Sequence, residues 1–327
     1  MPRRARGSEE PSSRPAMSAL LQLLVHTCCL SLAAPAAVPA AAAPSPDTRY
    51  LFSYFVHNGE DGLHLAWSAD GYTWKALQGG KSFLTPTVGE SKLMRDPSLL
   101  RGPDGTFHLV WTTSWQGKTI GYASSKDLLH WSEQKAVPVM ADEPSARNCW
   151  APELFYENQN HRFLIVWSTT ITGRFDNTHR SYFVTTTDFK DFTPAQLFFD
   201  PGFNVIDDTI AEFAGKYYLI FKDERTGAGH KSLRWAVGDT MEGPWKNVSR
   251  PFTREMVEGP AWLKLGDQYI VYYDCFSEEH YGAVLTKDFQ NWQDVSARLA
   301  MPKGIRHGTA LAVPAEVLEK MKEKDKG

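Results

Sequence analysis

The chain has 327 residues, 42% of them hydrophobic and 13% aromatic, with 35 Lys and Arg against 38 Asp and Glu. That is enough apolar material for a large packed core. The near balance of charge excludes the basic footprint of a nucleic-acid binder and any bulk attraction to an anionic membrane.

The first fifty residues differ in kind from the rest. Arg3, Arg4, Arg6 and Arg14 precede an apolar run from Ala19 to Leu32, which passes into the Ala/Pro-rich APAAVPAAAAPSP. A basic start, a short apolar stretch and small residues at the end form the pattern of a secretory signal peptide. Residues 1–43 are therefore read as signal peptide and leader, cleaved between Ala37 and Ala43, and the mature protein as secreted or periplasmic. The apolar run falls short of the ~20 residues that a span needs, so no membrane association is expected after cleavage. Cys28 and Cys29 leave with the leader, and Cys149 and Cys275 read as two buried thiols rather than a disulfide.

From Arg49 to Pro314 the chain has strand chemistry. Apolar runs at Leu63–Trp67, Phe107–Thr113, Phe163–Thr170, Tyr217–Asp223 and Tyr269–Asp274 are rich in β-branched and aromatic residues and bounded by turn formers. A short phrase closes each repeat: WSADGYTW, SSKDLLHW, TTTDFKDF, the looser AVGDTMEGPW, and LTKDFQNW. Its last aromatic falls at Trp74, Trp131, Phe192, Trp245 and Trp292, at intervals of 57, 61, 53 and 47 residues. Repeats of that size mark arrays, solenoids or propellers.

A third signal precedes the apolar runs. MRDPSLL, CWAPELF, VIDDTIA and VEGPAWL pass from polar or turn residues into a strand, and RHGTALAVP does the same near the C-terminus. One repeat is thus split between the two ends of the chain. The reading is an all-β, five-bladed β-propeller over residues 47–314, closed by pairing the N- and C-terminal strands. The repeated phrase is structural, its Ser or Thr and Asp making a turn and its aromatic packing between blades. Residues 315–327 form a short tail in which Val317, Leu318 and Met321 recur at helical spacing, enough to pack one turn against the outside.

In a propeller the innermost strands line the axis, so their first residues converge. Here those are Asp96, Glu153, Asp207 with Asp208, Glu258 and His307. Like charges brought together disfavour ionisation. Glycoside hydrolysis makes use of that, because one carboxyl must stay protonated and another ionised.

The ordered set RDPSLL, WAPELF, IDDTIA, VEGPAW and RHGTA resembles glycoside hydrolase family 43, whose catalytic domain is a five-bladed propeller. The resemblance implies hydrolysis with inversion. Asp96 matches the general base, Asp207 the carboxylate that orients the acid, and Glu258 the general acid. Inversion separates acid and base by about 6.5 to 9.5 Å, and ~5 Å would mean retention. Asp208 rivals Asp207 for the orienting role. Trp150 is read as a wall of the sugar pocket and Glu153 as architectural. Trp115, His179, Arg180 and Arg225 lie on connections that could shape the pocket.

His307 matches a central-channel histidine that contacts substrate and stands near a bound cation. A hydrated calcium or sodium ion there and a hydrogen-bonded core histidine both remain open. No cofactor is required. The substrate class implied is α-L-arabinofuranose, then β-D-xylose or galactose, on plant-type poly- or oligosaccharides, handled by a monomer. Two alternatives stand beside this. One is a non-catalytic carbohydrate-binding propeller, disfavoured because all three acids are present. The other is a retaining fructan-type hydrolase, disfavoured because no Asn-Asp-Pro-Asn-like stretch precedes RDP.

Overall fold

The computed structural model describes residues 47–324. The signal peptide read over residues 1–43 lies outside the described residues. Five antiparallel sheets form five blades. The first blade comprises Arg95–Arg101, Phe107–Thr112, Ile120–Ser125 and Lys135–Val137, and the second Trp150–Glu157, Arg162–Thr170, His179–Thr186 and Gln196–Phe199. The third comprises Val205–Phe213, Lys216–Asp223 and Ser232–Gly238, and the fourth Glu258–Leu265, Gln268–Cys275, His280–Thr286 and Gln293–Asp294. A closing blade takes its innermost strand, Ala310–Pro314, from one end of the chain and Thr48–Tyr54, His64–Ser68 and Trp74–Ala76 from the other. Pairs from Thr48 with Pro314 to Phe52 with Ala310 shut the ring, as the split repeat anticipates.

Four of the five phrases fold into one turn. The hydroxyl of Ser68, Ser125, Thr186 or Thr286 accepts the backbone N–H three residues on. Oδ1 of Asp70, Asp127, Asp188 or Asp288 accepts two further N–H groups each. The residue after the Asp is left-handed each time: Gly71, Leu128, Phe189 and Phe289 have φ of 77°, 63°, 56° and 55°. A non-glycine residue loses ~1 to 2 kcal/mol there. Burial of the Leu128, Phe189 and Phe289 side chains offsets it.

The terminal aromatics then do what the repeat implies. Five apolar clusters lie between neighbouring blades, and each receives one of Trp74, Trp131, Phe192, Trp245 and Trp292. The looser fourth phrase lacks the Ser/Thr-x-Asp order, and its blade has three strands with only an isolated bridge, Val237 to Lys246, at its rim.

The tail makes more than the single turn expected of it. Ala315–Lys324 is a ten-residue helix whose Leu318 and Met321 are buried with Leu51, Leu63 and Trp111, between the closing and first blades. Cys149 and Cys275 are both buried and unpaired.

Ring closure sets one tight constraint. Thr309 O accepts the Ser53 N–H at 2.9 Å, and a Cβ on Gly308 would run into the Ser53 carbonyl oxygen. Two paired backbones cannot yield there, so Gly308→Ala should cost about 3 kcal/mol or more. The denaturant midpoint measures this, and an unchanged midpoint would show that the ring ends are not held in this register.

Candidate active site

The innermost strands of the four unbroken blades all slip register at their start. The slips lie between Arg95 and Ser98, Trp150 and Glu153, Ile206 and Thr209, and Glu258 and Ala261. Within each, one residue is left-handed: Asp96, Ala151, Asp207 and Gly259, with φ of 50°, 46°, 59° and 57°. A bulge of this kind bends the strand and re-aims a side chain.

The bulges set the four acids at different offsets along their strands. Asp96 and Asp207 occupy the bulge itself, Glu258 stands one residue before it, and Glu153 two residues after Ala151. Glu153 consequently enters the hub rather than the mouth. Its Oε1 and Oε2 accept hydrogen bonds from Thr209 at 3.3 Å and Thr309 at 3.0 Å, tying the second blade to the third and the closing blade. Burial raises its carboxyl to about 7, against the opposing hydroxyls and the charge of His307.

Asp96 accepts a hydrogen bond from Thr112 Oγ1 at 2.8 Å, and His307 Nδ1 lies 3.5 Å from its other oxygen. Burial would raise this carboxyl. Contact with His307, the charges of His307 and Arg95, and the Thr112 hydroxyl outweigh burial and hold it at about 2. His307 shows the converse, since burial would neutralise it but Asp207, Asp96 and Glu153 hold it charged to about 9.

An imidazolium therefore stands among the carboxylates at neutral pH. A metal ligand must offer a neutral nitrogen, and among the described residues no group of three His, Cys, Asp or Glu is arranged to hold an ion. The charge of His307 itself faces Asp207, Asp96 and Glu153.

Asp207 is buried, and its Oδ2 accepts the Gly259 N–H at 3.0 Å. Burial raises its carboxyl above the usual range, with Glu258 and Asp96 adding to the rise and His307 and Lys222 opposing it. Gly259 can come this close only without a side chain, because a Cβ would lie 2.5 Å from the His307 ring. Glu258, beside it, accepts from Lys222 Nζ at 2.8 Å and from Arg306 Nη2 at 3.1 Å. Arg306 Nε also donates to Asp274 Oδ2 at 2.6 Å, and Lys222 Nζ pairs with Glu224 at 2.7 Å. That second contact is not aligned as a hydrogen bond.

Sequence reasoning missed both cations on Glu258. Lys222 is 2% exposed and sits in the apolar run YYLIFKD, where a lysine has no place without buried partners. Arg306 heads RHGTA and went unweighed beside its histidine.

Trp150, read as a wall of the sugar pocket, immediately precedes a residue tied to Asp96: Ala151 N–H donates to Thr112 Oγ1 at 2.8 Å, the hydroxyl that bonds Asp96. Trp115 and His179 join it, their rings 5.7 and 4.8 Å from that of Trp150. Arg180 and Arg225 do not. Arg180 is buried against Asp200 and Phe175, and Arg225 is paired with Asp223 and stacked on Phe203.

Asp208, the rival to Asp207, makes none of the mouth's hydrogen bonds. It is 4% exposed, and among the described residues neither oxygen accepts a well-aligned hydrogen bond, the Ser181 hydroxyl being its nearest polar influence. Burial raises it to about 7, with Ser181 opposing and Asp207 and Glu153 adding. A folded-state value above the unfolded one means that stability is lost as pH climbs from about 4 through about 7. Asp208→Asn removes that loss, so its melting temperature relative to wild type should rise steadily between pH 5 and pH 8. A difference independent of pH would contradict the buried, protonated acid.

Comparison with known proteins accords with this geometry. An α-L-arabinofuranosidase of Bifidobacterium longum is 23% identical over 84% of this chain, and the chain spans about a third of that relative, 34% of its length. The crystal structure of a thermostable family-43 glycoside hydrolase is 18% identical with a TM-score of 0.51, covering 62% of this chain and 71% of that one. An exo-β-1,3-galactanase of Phanerochaete chrysosporium, solved with β-1,3-galactotriose, is 15% identical with a TM-score of 0.50, over 64% of this chain and 52% of that one. These two likenesses show the shared fold. A family model described as "Probable glycosyl hydrolase domain", related to glycoside hydrolase family 43, matches residues 45–319. With that much of its length matched, the chain belongs to the glycoside hydrolase 43-related family.

Proposed function

We propose that the protein is an inverting glycoside hydrolase that removes terminal or side-chain pentoses, α-L-arabinofuranose before β-D-xylose or galactose, from plant-type poly- or oligosaccharides. The observation that carries this is three carboxyls in three different settings on one hub: Asp96 bonded by Thr112 and facing His307, Asp207 buried and accepting the Gly259 N–H, and Glu258 beside it facing Lys222 and Arg306.

In this mechanism Asp96 removes a proton from the water that attacks the anomeric carbon. Glu258 gives its proton to the departing glycosidic oxygen. Asp207 orients the Glu258 strand through the Gly259 N–H, and Lys222 and Arg306 hold the carboxylate that remains on Glu258 after transfer. The sugar ranking is supported by the named activity of the Bifidobacterium relative, and galactose by the galactanase of like fold. Export to meet such a substrate is supported by the basic and apolar leader.

Aryl glycosides of the three sugars test the reading. Wild type should turn over one of them, and Asp96→Asn and Glu258→Gln should each lose ~10²- to 10⁴-fold in kcat, less for Glu258→Gln with an activated aryl leaving group. Proton NMR of the fresh product should show the anomer opposite to that of the substrate. The same anomer would exclude inversion, and no turnover of any sugar would remove the enzyme reading.

Lys222→Met should lower kcat by ~10²-fold, as loss of one charge-stabilising donor does, while Lys222→Arg restores part of it. Equal losses in the two variants would assign Lys222 to folding alone.

A further inference from the structure

Each of the two cations on Glu258 is shared with a second carboxylate. Lys222 Nζ, 2.8 Å from Glu258, also lies 2.7 Å from Glu224. The Arg306 guanidinium, 3.1 Å from Glu258 through Nη2, donates through Nε to Asp274 at 2.6 Å. In the mechanism the cations act on Glu258, and the outer carboxylates have no assigned part.

Asp274 is the more tightly held of the two. It stands directly across from Glu258, on Gln268–Cys275 against Glu258–Leu265, and cross-strand neighbours share a face of the sheet. Its side chain is 1% exposed, and among the described residues Arg306 is the only donor to it. Its other oxygen is buried and unmatched, as is the hydroxyl of Tyr281, its partner on the next strand. Burial raises Asp274 to about 6 against the opposing Arg306, with Glu258 adding to the rise and His307 opposing it, so it is charged at neutral pH. Glu224 is 20% exposed and has a second cation, Lys231, at 2.6 Å.

Charged carboxylates in these places have a definite effect. A cation near a carboxyl favours its ionised form, and a like charge favours the proton. Lys222 and Arg306 both pull toward ionised Glu258, yet a general acid must hold its proton until the glycosidic oxygen departs. Asp274 opposes that pull twice, by dividing the Arg306 charge between two carboxylates and by its own charge opposite Glu258. Glu224 does so for Lys222, and more weakly, because Lys231 offsets it.

The other groups around Glu258 do not take over this task. Asp207 acts in the same direction as Asp274 but touches neither cation by hydrogen bond. Burial keeps the Tyr281 hydroxyl protonated, and His307, packed against Gly259, adds to the cations.

We propose that Asp274 is a positioning residue of the hydrolase, acting through Arg306 to keep Glu258 available as proton donor at neutral pH, with Glu224 a lesser counterpart on Lys222. The inference rests on the hydrolase reading and extends it to what governs the working pH range of the site. An ion pair that only braced the fold would also join Asp274 to Arg306, whose backbone N–H donates to Phe55 O at 2.9 Å. Loss of stability would therefore not distinguish the two roles, and pH dependence does.

The test is the pH profile of kcat/KM for wild type, Asp274→Asn and Glu224→Gln on the phenyl glycoside that wild type turns over, whose departing oxygen needs the proton. Asn keeps a carbonyl oxygen for Arg306 Nε and removes only the charge. Its removal favours ionised Glu258, so the basic limb should move down by ~1 pH unit in Asp274→Asn, and by a smaller step in the same direction in Glu224→Gln. An unmoved limb in Asp274→Asn assigns the pair to folding and overturns the proposal. If that variant does not fold, the limb of Glu224→Gln decides in the same way. NMR titration of the Glu258 carboxyl, in protein labelled at its glutamate carboxyls and assigned by the signal missing from Glu258→Gln, separates this from the function itself. A midpoint that falls in Asp274→Asn, in a protein that hydrolyses nothing, keeps the action of Asp274 on Glu258 and removes the hydrolase. Turnover with an unmoved limb and midpoint does the reverse.

Discussion

The axis of this propeller forces the first residues of its innermost strands together, and several of those residues are acids. Buried like charges at such separations would oppose folding if left alone. The chain meets the constraint with cations drawn from the same hub: His307 against Asp96, and Lys222 and Arg306 against Glu258 and Asp274. Where no cation pairs directly, as at Asp208 and Glu153, the carboxyl is raised toward neutrality instead. One problem thus has two local solutions, and the coexistence of ionised and protonated acids within one ring follows from it.

The second constraint is conformational. A regular strand would send alternate side chains to opposite faces, and equivalent positions in each blade would present equivalent groups. The left-handed residue at the start of each innermost strand breaks that regularity, and the sequence around it decides what is presented. Asp96 and Asp207 put a carboxyl on the bulge. Ala151 puts almost nothing there, so that Trp150 before it becomes the feature of the second blade. Gly259 puts nothing there, which lets its N–H reach Asp207 and leaves Glu258 to accept from two cations. Four copies of one backbone device yield four different chemical surfaces.

This explains why the fold was legible in the sequence and the site only partly so. The turn needs a hydroxyl, an Asp two residues on and an aromatic after it, and those requirements recur at Ser68, Ser125, Thr186 and Thr286 because each blade must pack on the next. Repetition exposes them. Asp96, Asp207 and Glu258 could be picked out as charged residues in turn-like settings, but their offsets from the bulge could not, because φ is not written in residue type when Asp, Ala and Gly all adopt it. Lys222 was hidden by its apolar neighbours. The charge state of His307 was beyond reach, since it depends on Asp207, Asp96 and Glu153 arriving from three other blades.

The loose fourth phrase shows the same logic from the other side. AVGDTMEGPW abandons the hydroxyl–Asp turn, and its blade keeps three strands, yet Trp245 still fills the cluster between the second and third blades. The aromatic contact survives where the turn does not, which identifies inter-blade packing, rather than turn geometry, as what the repeat preserves. Trp115 and Trp150 stand apart from this. Both lie outside every inter-blade cluster, their rings 5.7 Å from one another, and Trp115 is clamped by Asn58 and Arg95 and half exposed.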